Sequence, residues 1–226
     1  MISNSISKRN IKKIISKRLL LDNDPTPELT AILTVYFVQG ILKLSQLALS
    51  FFLKDDLGLS PAEVAALMGI AAFPWVIKPL LGFISAGLPL FGYRRKSYLI
   101  LSGILGSLAW ISLATVVTQP WMAILAILGT SVSVAVSDVI ADSIVVERAR
   151  EESLGKAGSL QSLTWGTSAL GGLITAYLSG LLLEHFSNQV VFGITATFPL
   201  LVSAIAGLIV EQKETNKNHS SVVKSD

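Results

Sequence analysis

Apolar residues fill six long stretches of this chain, at about 31–53, 63–86, 97–118, 121–142, 157–183 and 190–210, and polar residues collect between them. A helix rising ~1.5 Å per residue needs about 20 mostly apolar residues to cross ~30 Å of hydrocarbon, and each stretch meets that length. Lipid offers no partner for a backbone N–H or C=O, so each stretch predicts a helix. The pattern specifies an all-α integral membrane protein with six transmembrane helices. Its expected organisation is a basic tail over 1–27, a transmembrane domain over 28–211 and a polar tail over 212–226, with disorder expected from residue 211 onward.

Within the stretches the polar residues are not scattered. In the first, Tyr36, Gln39, Lys43, Gln46 and Ser50 fall within one arc of about 80° at 100° per residue, which predicts a cavity wall or a packed polar seam. The fourth carries Ser131, Asp138 and Asp142 on one face, with the two carboxylates one turn apart. Two carboxylates held that close repel unless a cation answers them, and Lys78 in the second stretch or Lys43 in the first can do so. One reading makes Asp138 and Asp142 a proton- or cation-coupling site. The other joins Asp142 to a structural ion-pair network with Glu147, Arg148 and Arg150 at the helix ends. The fifth stretch aligns Gln161, Trp165, Ser168, Gly172, Thr175 and Ser179; the small residues predict close helix packing, and Gln161 beside Trp165 suits a planar heterocycle. Pro74 and Pro79 predict kinks in the second stretch.

A charge at mid-bilayer costs about 2.5–3.5 kcal/mol on insertion scales. Stretches 1, 2 and 4 carry such charges, so together with 5 they are expected to surround a polar space. Stretches 3 and 6 carry no acid or base between their ends and are expected to face lipid. His185 and His219 are isolated and predict no site.

Composition adds orientation. Charged residues make up 15% of the 226 residues and mean hydropathy is +0.63, which leaves no room for a second soluble domain. The net charge of +3 and pI near 9.2 reflect topology, and with no base-reading motif they do not point to nucleic acid. Fifteen of the 18 Lys and Arg residues lie in the two tails and in the loops after stretches 2 and 4. Of the rest, only Lys54 lies in a loop on the opposite side. The excess predicts both termini on the cytoplasmic side, or the stromal side of a plastid membrane. The basic, Ser-containing start reads as a retained tail or as a targeting segment. The chain has no cysteine, so thiol and disulfide chemistry are excluded.

The segments YFVQG (36–40), SFFLKD (50–55), PWVIKPLLG (74–82), GYRR (92–95), SDVIADSIVVER (137–148) and GSLQS (158–162) resemble the folate–biopterin transporter family of the major facilitator superfamily. The likeness covers about residues 27–211. It implies import of folates or pterins, typically proton-coupled, in a fold of two six-helix halves of which this chain resembles the N-terminal one. It also implies a bacterial inner membrane or plastid envelope, no cofactor, no metal and no enzymatic activity. The implied substrate-binding residues are Gln39, Lys43, Lys78, Asp138, Gln161 and Trp165. Asp138, Asp142, Glu147 and Arg148 are implied for proton coupling or ion pairing, and Gly92, Arg94 and Arg95 for the loop 2–3 motif.

The chain departs from the family pattern in three ways. It has six helices rather than about twelve. It has Ser85-Ala86 where the family usually has Ser-Asp, and Lys43 and Gln46 where Gly and Arg are usual. A half-transporter that works with a C-terminal six-helix half or as a homodimer in the lipid bilayer is therefore expected. The alternatives are a non-transporting remnant and a Mg²⁺-dependent lipid-diphosphate transferase. The latter needs denser carboxylate clusters than this single pair.

Overall fold

A computed structural model describes residues 18–151 and 158–213. Among these described residues, six helices are long and apolar enough to cross a membrane: α1 (Pro27–Asp56), α2 (Pro61–Gly87), α3 (Lys96–Thr115), α4 (Pro120–Glu151), α5 (Ser159–His185) and α6 (Asn188–Leu208). Their starts follow local chemistry. The Thr26 hydroxyl accepts from the Leu29 amide at 3.1 Å ahead of Pro27, and Ser60 and Glu63 form a reciprocal capping box around Pro61. α4 runs well past Asp142, because the polar segment that follows is still a good helix former. Hydropathy locates a span; it does not locate the end of a helix.

Three helices are interrupted. α1 pauses between Ile41 and Leu44 and closes with a wide turn over Phe52–Asp56. α2 falls into three pieces, Pro61–Ala71, Phe73–Val76 and Lys78–Gly87. Pro74 and Pro79 sit early in the second and third pieces, where a missing N–H is tolerated, so the joints fall just before each proline. The kinks expected from these prolines are present. α6 has a similar joint at Ala196, ahead of Pro199.

α1 and α4 form the centre. Over their most apolar windows 56% and 50% of residues are buried, against 44% in α3, 39% in α6, and 11% in both α2 and α5. α4 packs along α3, α1 packs along α5, α6 lies across α3 and α1, and α2 rests on α4. At one end of the bundle Phe192 of α6 meets Phe52 edge-on at 5.4 Å and Trp110 at 5.7 Å between ring centres. At the other, Ile32, Val35, Leu99, Ile140, Ile144 and Val202 close a second core.

Close approaches fix these contacts. A Cβ added at Gly40 would lie 2.2 Å from the Ser168 carbonyl, and one at Gly171 would lie 2.6 Å from that of Phe37. The backbones of α1 and α5 therefore touch, as small residues allow in membranes. The contact uses Gly171. Ser168 and Gly172, expected from periodicity to pack here, lend their backbones to the same contact, the Gly172 amide nitrogen lying 2.9 Å from a Cβ added at Gly40, while a Cβ at Gly172 would point toward Lys43. On the other side the Ser133 hydroxyl donates to the Ser102 carbonyl at 2.6 Å and Ser203 donates to Ile100 at 2.8 Å, joining α3 to α4 and α6.

The expectation that stretches 3 and 6 simply face lipid needs correcting. Their outer faces are apolar and open, with Leu108 and Ile111 of α3 and Leu200 and Leu201 of α6 exposed, but each also buries an inner face that forms the back of the core. The least covered helices are α2 and α5. An ionisable residue shows which face of a helix avoids lipid, and carries no information about how much of the rest is covered. At the start of the tail expected to be disordered, the Glu211 side chain is placed in the fold. Residues 214–226, including His219, lie outside the described residues.

Candidate functional site

The break in α2 ahead of Lys78 turns its ammonium toward α4. There it bonds to Asp142 at 2.7 Å and pairs directly with Asp138, so one cation bridges both carboxylates. Asp138 is buried, at 7% exposure, while Asp142 reaches the cavity and accepts a hydrogen bond from the Tyr36 hydroxyl of α1. The Trp75 ring lies 5.6 Å from the Lys78 ammonium. The sequence left open which lysine answers the carboxylates; it is Lys78. One ammonium thus serves two carboxyl groups.

This cluster forms one wall of a chamber of about 670 Å³. α1 contributes Tyr36, Gln39 and Lys43, α2 Trp75 and Lys78, α4 Asp138, Asp142 and Val146, and α5 Gln161, Trp165, Ser168 and Ala169. All six residues expected to bind substrate stand on it. Gln161 and Trp165 sit at its open side, where Trp165 is 67% exposed. A second cavity of about 450 Å³ adjoins it and shares Gln39, Lys43, Trp75 and Ser168. Gln46, Ser131, Met68 and Trp110 line this second part, so α3 reaches the polar space through Trp110. Ser50, predicted on the same stripe, turns back to the Gln46 carbonyl at 3.0 Å and lines neither cavity. The Gln39 amide nitrogen is buried with no hydrogen-bond partner among the described residues.

The remaining expected residues form a separate layer. Glu147 pairs with Arg95. Arg148 donates to Glu28 at 2.9 Å and to the Thr26 hydroxyl at 2.7 Å, tying α4 to the start of α1. Neither engages Asp142, so the reading that placed Asp142 in a network with Glu147, Arg148 and Arg150 is corrected: α4 carries those residues one to two turns beyond it.

In the loop between α2 and α3, Phe91 and Gly92 take positive φ, 54° and 84°, and make the tight reversal. The Arg94 guanidinium donates to the Ala86 carbonyl. The Glu211 carboxylate then accepts the backbone amides of Arg94, Arg95 and Lys96 at 2.7, 3.1 and 3.0 Å, capping α3 from the far end of the chain.

Sequence reasoning missed Trp75, Glu28 and Glu211 as contributors. Trp75 stands one turn before Lys78, and that spacing was a usable signal. Glu211 gave none, since its partners lie more than a hundred residues away. His185, read as a loop residue, is the last residue of α5, and its ring Nδ1 lies 3.0 Å from the Leu181 carbonyl.

A family model described as the BT1 family matches residues 39–225. The folate-biopterin transporter of Synechocystis sp. is 59% identical over 201 residues, covering 89% of this chain and 41% of that protein. The probable folate-biopterin transporter 4 of Arabidopsis thaliana is 32% identical over 186 residues, 81% of this chain and 38% of that protein. The putative folate transporter 2 of Plasmodium berghei is 31% identical over 191 residues, 82% and 42% of the two chains. The chain thus spans about two fifths of the length of these curated relatives. Each relative is named a transporter, which agrees with a chain that is not an enzyme. With a match over most of its length, and with six membrane-spanning helices, this multi-pass membrane protein belongs to the BT1 family, in keeping with the resemblance of its motifs to the folate–biopterin transporters.

Proposed function

We propose that this chain supplies one six-helix half of a membrane transporter for folates or related pterins. The observation that carries the reading is the charged chamber: Lys78 bridging Asp138 and Asp142, walled by Gln39, Lys43, Gln161 and Trp165, and open on the side of the sparsely covered helices α2 and α5. Burying charge in a membrane bundle is costly and marks a pathway by default. Trp75 and Trp165 offer faces for a flat bicyclic ring, and Gln39 and Gln161 offer amides for its polar edge.

In this reading the excess carboxylate of the cluster takes up the coupling proton. Asp142 is the more exposed of the pair, so its protonation loosens Lys78 and Tyr36 from α4 and links the proton to the joint in α2. Arg94, Arg95, Glu147 and Arg148 hold the cytoplasmic ends of the helices together. Both ends of the chain lie in the cytoplasm or stroma, in a bacterial inner membrane or plastid envelope. Alternating access needs two bodies that rock about the substrate, so the open side of the chamber receives a second helical body, from further sequence or from another copy.

The test is uptake of labelled folate by a transport-deficient host. Expressed by itself this chain is expected to give none, and expressed with the C-terminal helices of a family member it is expected to give uptake that Asp138→Asn abolishes. Absence of uptake in every combination, with the chain correctly inserted, would overturn the reading. Reporter fusions after Val116 or His185 are expected outside the cytoplasm, and those after Tyr93 or Arg150 inside it.

A further inference from the structure

Two lysines stand in the chamber, and the protein answers the charge of only one. Lys78 has two carboxylates. Lys43 lies at the break in α1, on the seam between the two cavities, and among the described residues no carboxylate is within 4.0 Å of its ammonium and no side chain accepts a hydrogen bond from it. Gly172 leaves room for it: a Cβ there would lie 3.9 Å from the ammonium. One turn back on the same helix, Gln39 also lines both cavities, while its amide nitrogen is buried beneath their surface.

A full positive charge thus stands where the two cavities meet. An unanswered ammonium in mid-span is expensive, and an amide buried without a partner adds to that cost. An anionic ligand group in the chamber relieves the first of these costs, and a carboxylate fits. The Asp138–Asp142–Lys78 cluster does not offer such a receptor, because its ammonium is already engaged by both carboxyl groups. It lies two turns away along α1, at the level of Tyr36.

We propose that Lys43 is the receptor for a carboxylate of the substrate, so that the chamber selects glutamate-bearing folates over uncharged pterins. This rests on the folate or pterin reading above and narrows it. Lys43 sets specificity and Lys78 serves the acidic pair, so the two lysines are not interchangeable. A lysine at this position can also reach a carboxylate of the second helical body, and the experiment distinguishes the two sources.

The whole chain in nanodiscs is titrated with folate, with folate diamide (both carboxylates blocked) and with biopterin. Binding is followed by quenching of tryptophan fluorescence, since Trp75, Trp110 and Trp165 line the cavities. Wild type is expected to bind folate about ten- to a hundredfold tighter than the diamide, the range for one charge-assisted contact. Lys43→Gln should bring folate to the level of the diamide and leave biopterin unchanged, while Lys43→Arg should keep the preference.

A preference that survives Lys43→Gln overturns the inference. So does equal binding of folate and diamide by wild type, the result expected if Lys43 serves the second helical body; the transport reading survives both. Should Lys43→Gln also lose biopterin, the wild-type preference and its retention by Lys43→Arg decide. Failure of wild type to bind any of the three overturns the inference, whereas the reading beneath it falls only if uptake is absent in every combination with a second helical body.

Discussion

Two pairs of helices flank α1 and α4, and they are covered to different extents. α3 and α6 wedge Trp110 and Phe192 into the core, exchange serine-to-backbone hydrogen bonds with their neighbours and keep only their outer faces open. α2 and α5 are as apolar as a span requires, yet Phe73, Val76, Phe83, Leu173 and Tyr177 lie uncovered along them. α2 and α5 also carry the open side of the chamber. Apolar composition qualifies a helix to sit in a membrane without fixing what covers it. That is settled by where backbones approach closely and where polar groups must be shielded.

The sharpest way to break this comparison is to place the same bulk on the packed and the open faces of one helix. Gly171→Leu would drive a side chain into the Phe37 carbonyl, and the α1–α5 contact is expected to lose about 3 kcal/mol. Gly166→Leu, where a Cβ meets nothing within 4 Å, is expected to be within about 0.5 kcal/mol of neutral. Thermal unfolding of both variants in mild detergent checks this, and equal losses would mean that α5 is not held by the Gly171 face.

A smaller effect comes from the chamber. Lys78→Met leaves two carboxylates without their cation and should cost about 2 kcal/mol, tempered by the partial exposure of the cluster. Adding Asp138→Asn should recover part of that loss. A double variant no better than the single one would remove the bridge from the stability of the α2–α4 contact.

At the back of the bundle, Glu211→Gln should cost about 1 kcal/mol, as for loss of a helix cap, whereas Glu184→Gln on the exposed end of α5 should be silent. Hydrogen exchange at the amides of Arg94, Arg95 and Lys96 should rise only in the first variant.

The least disruptive test uses the cysteine-free background. Cysteine at Gln161 or Trp165 should react with small polar thiol reagents, and cysteine at Ile104 on the outer face of α3 should react only with lipid-soluble ones. Equal labelling would mean that the chamber is not wet.

Much of this was legible beforehand because membrane helices obey few rules. The six spans follow from length and hydropathy, the joints in α2 from Pro74 and Pro79, and the chamber-lining faces from the spacing of Gln39 and Lys43, of Asp138 and Asp142, and of Gln161 and Trp165. These are local properties, and the periodicity of one helix reports them. Pairing between helices is not local. Periodicity gave Lys43 and Lys78 equal claims on the two carboxylates. It also put Ser168 and Gly172 at the α1–α5 contact, where they are, but left out Gly171, whose own face meets the Phe37 carbonyl.

The sequence by itself determined that the chain is a six-helix membrane bundle with its charges turned to one interior space, because lipid tolerates neither open backbone nor unshielded charge. Only the tertiary structure decided that Lys78 is spent on Asp138 and Asp142 while Lys43 stays unanswered, that Glu211 closes the start of α3, and that α2 and α5 form the uncovered side. Each depends on distances between helices far apart in the chain, set by a few close backbone approaches that no single helix records.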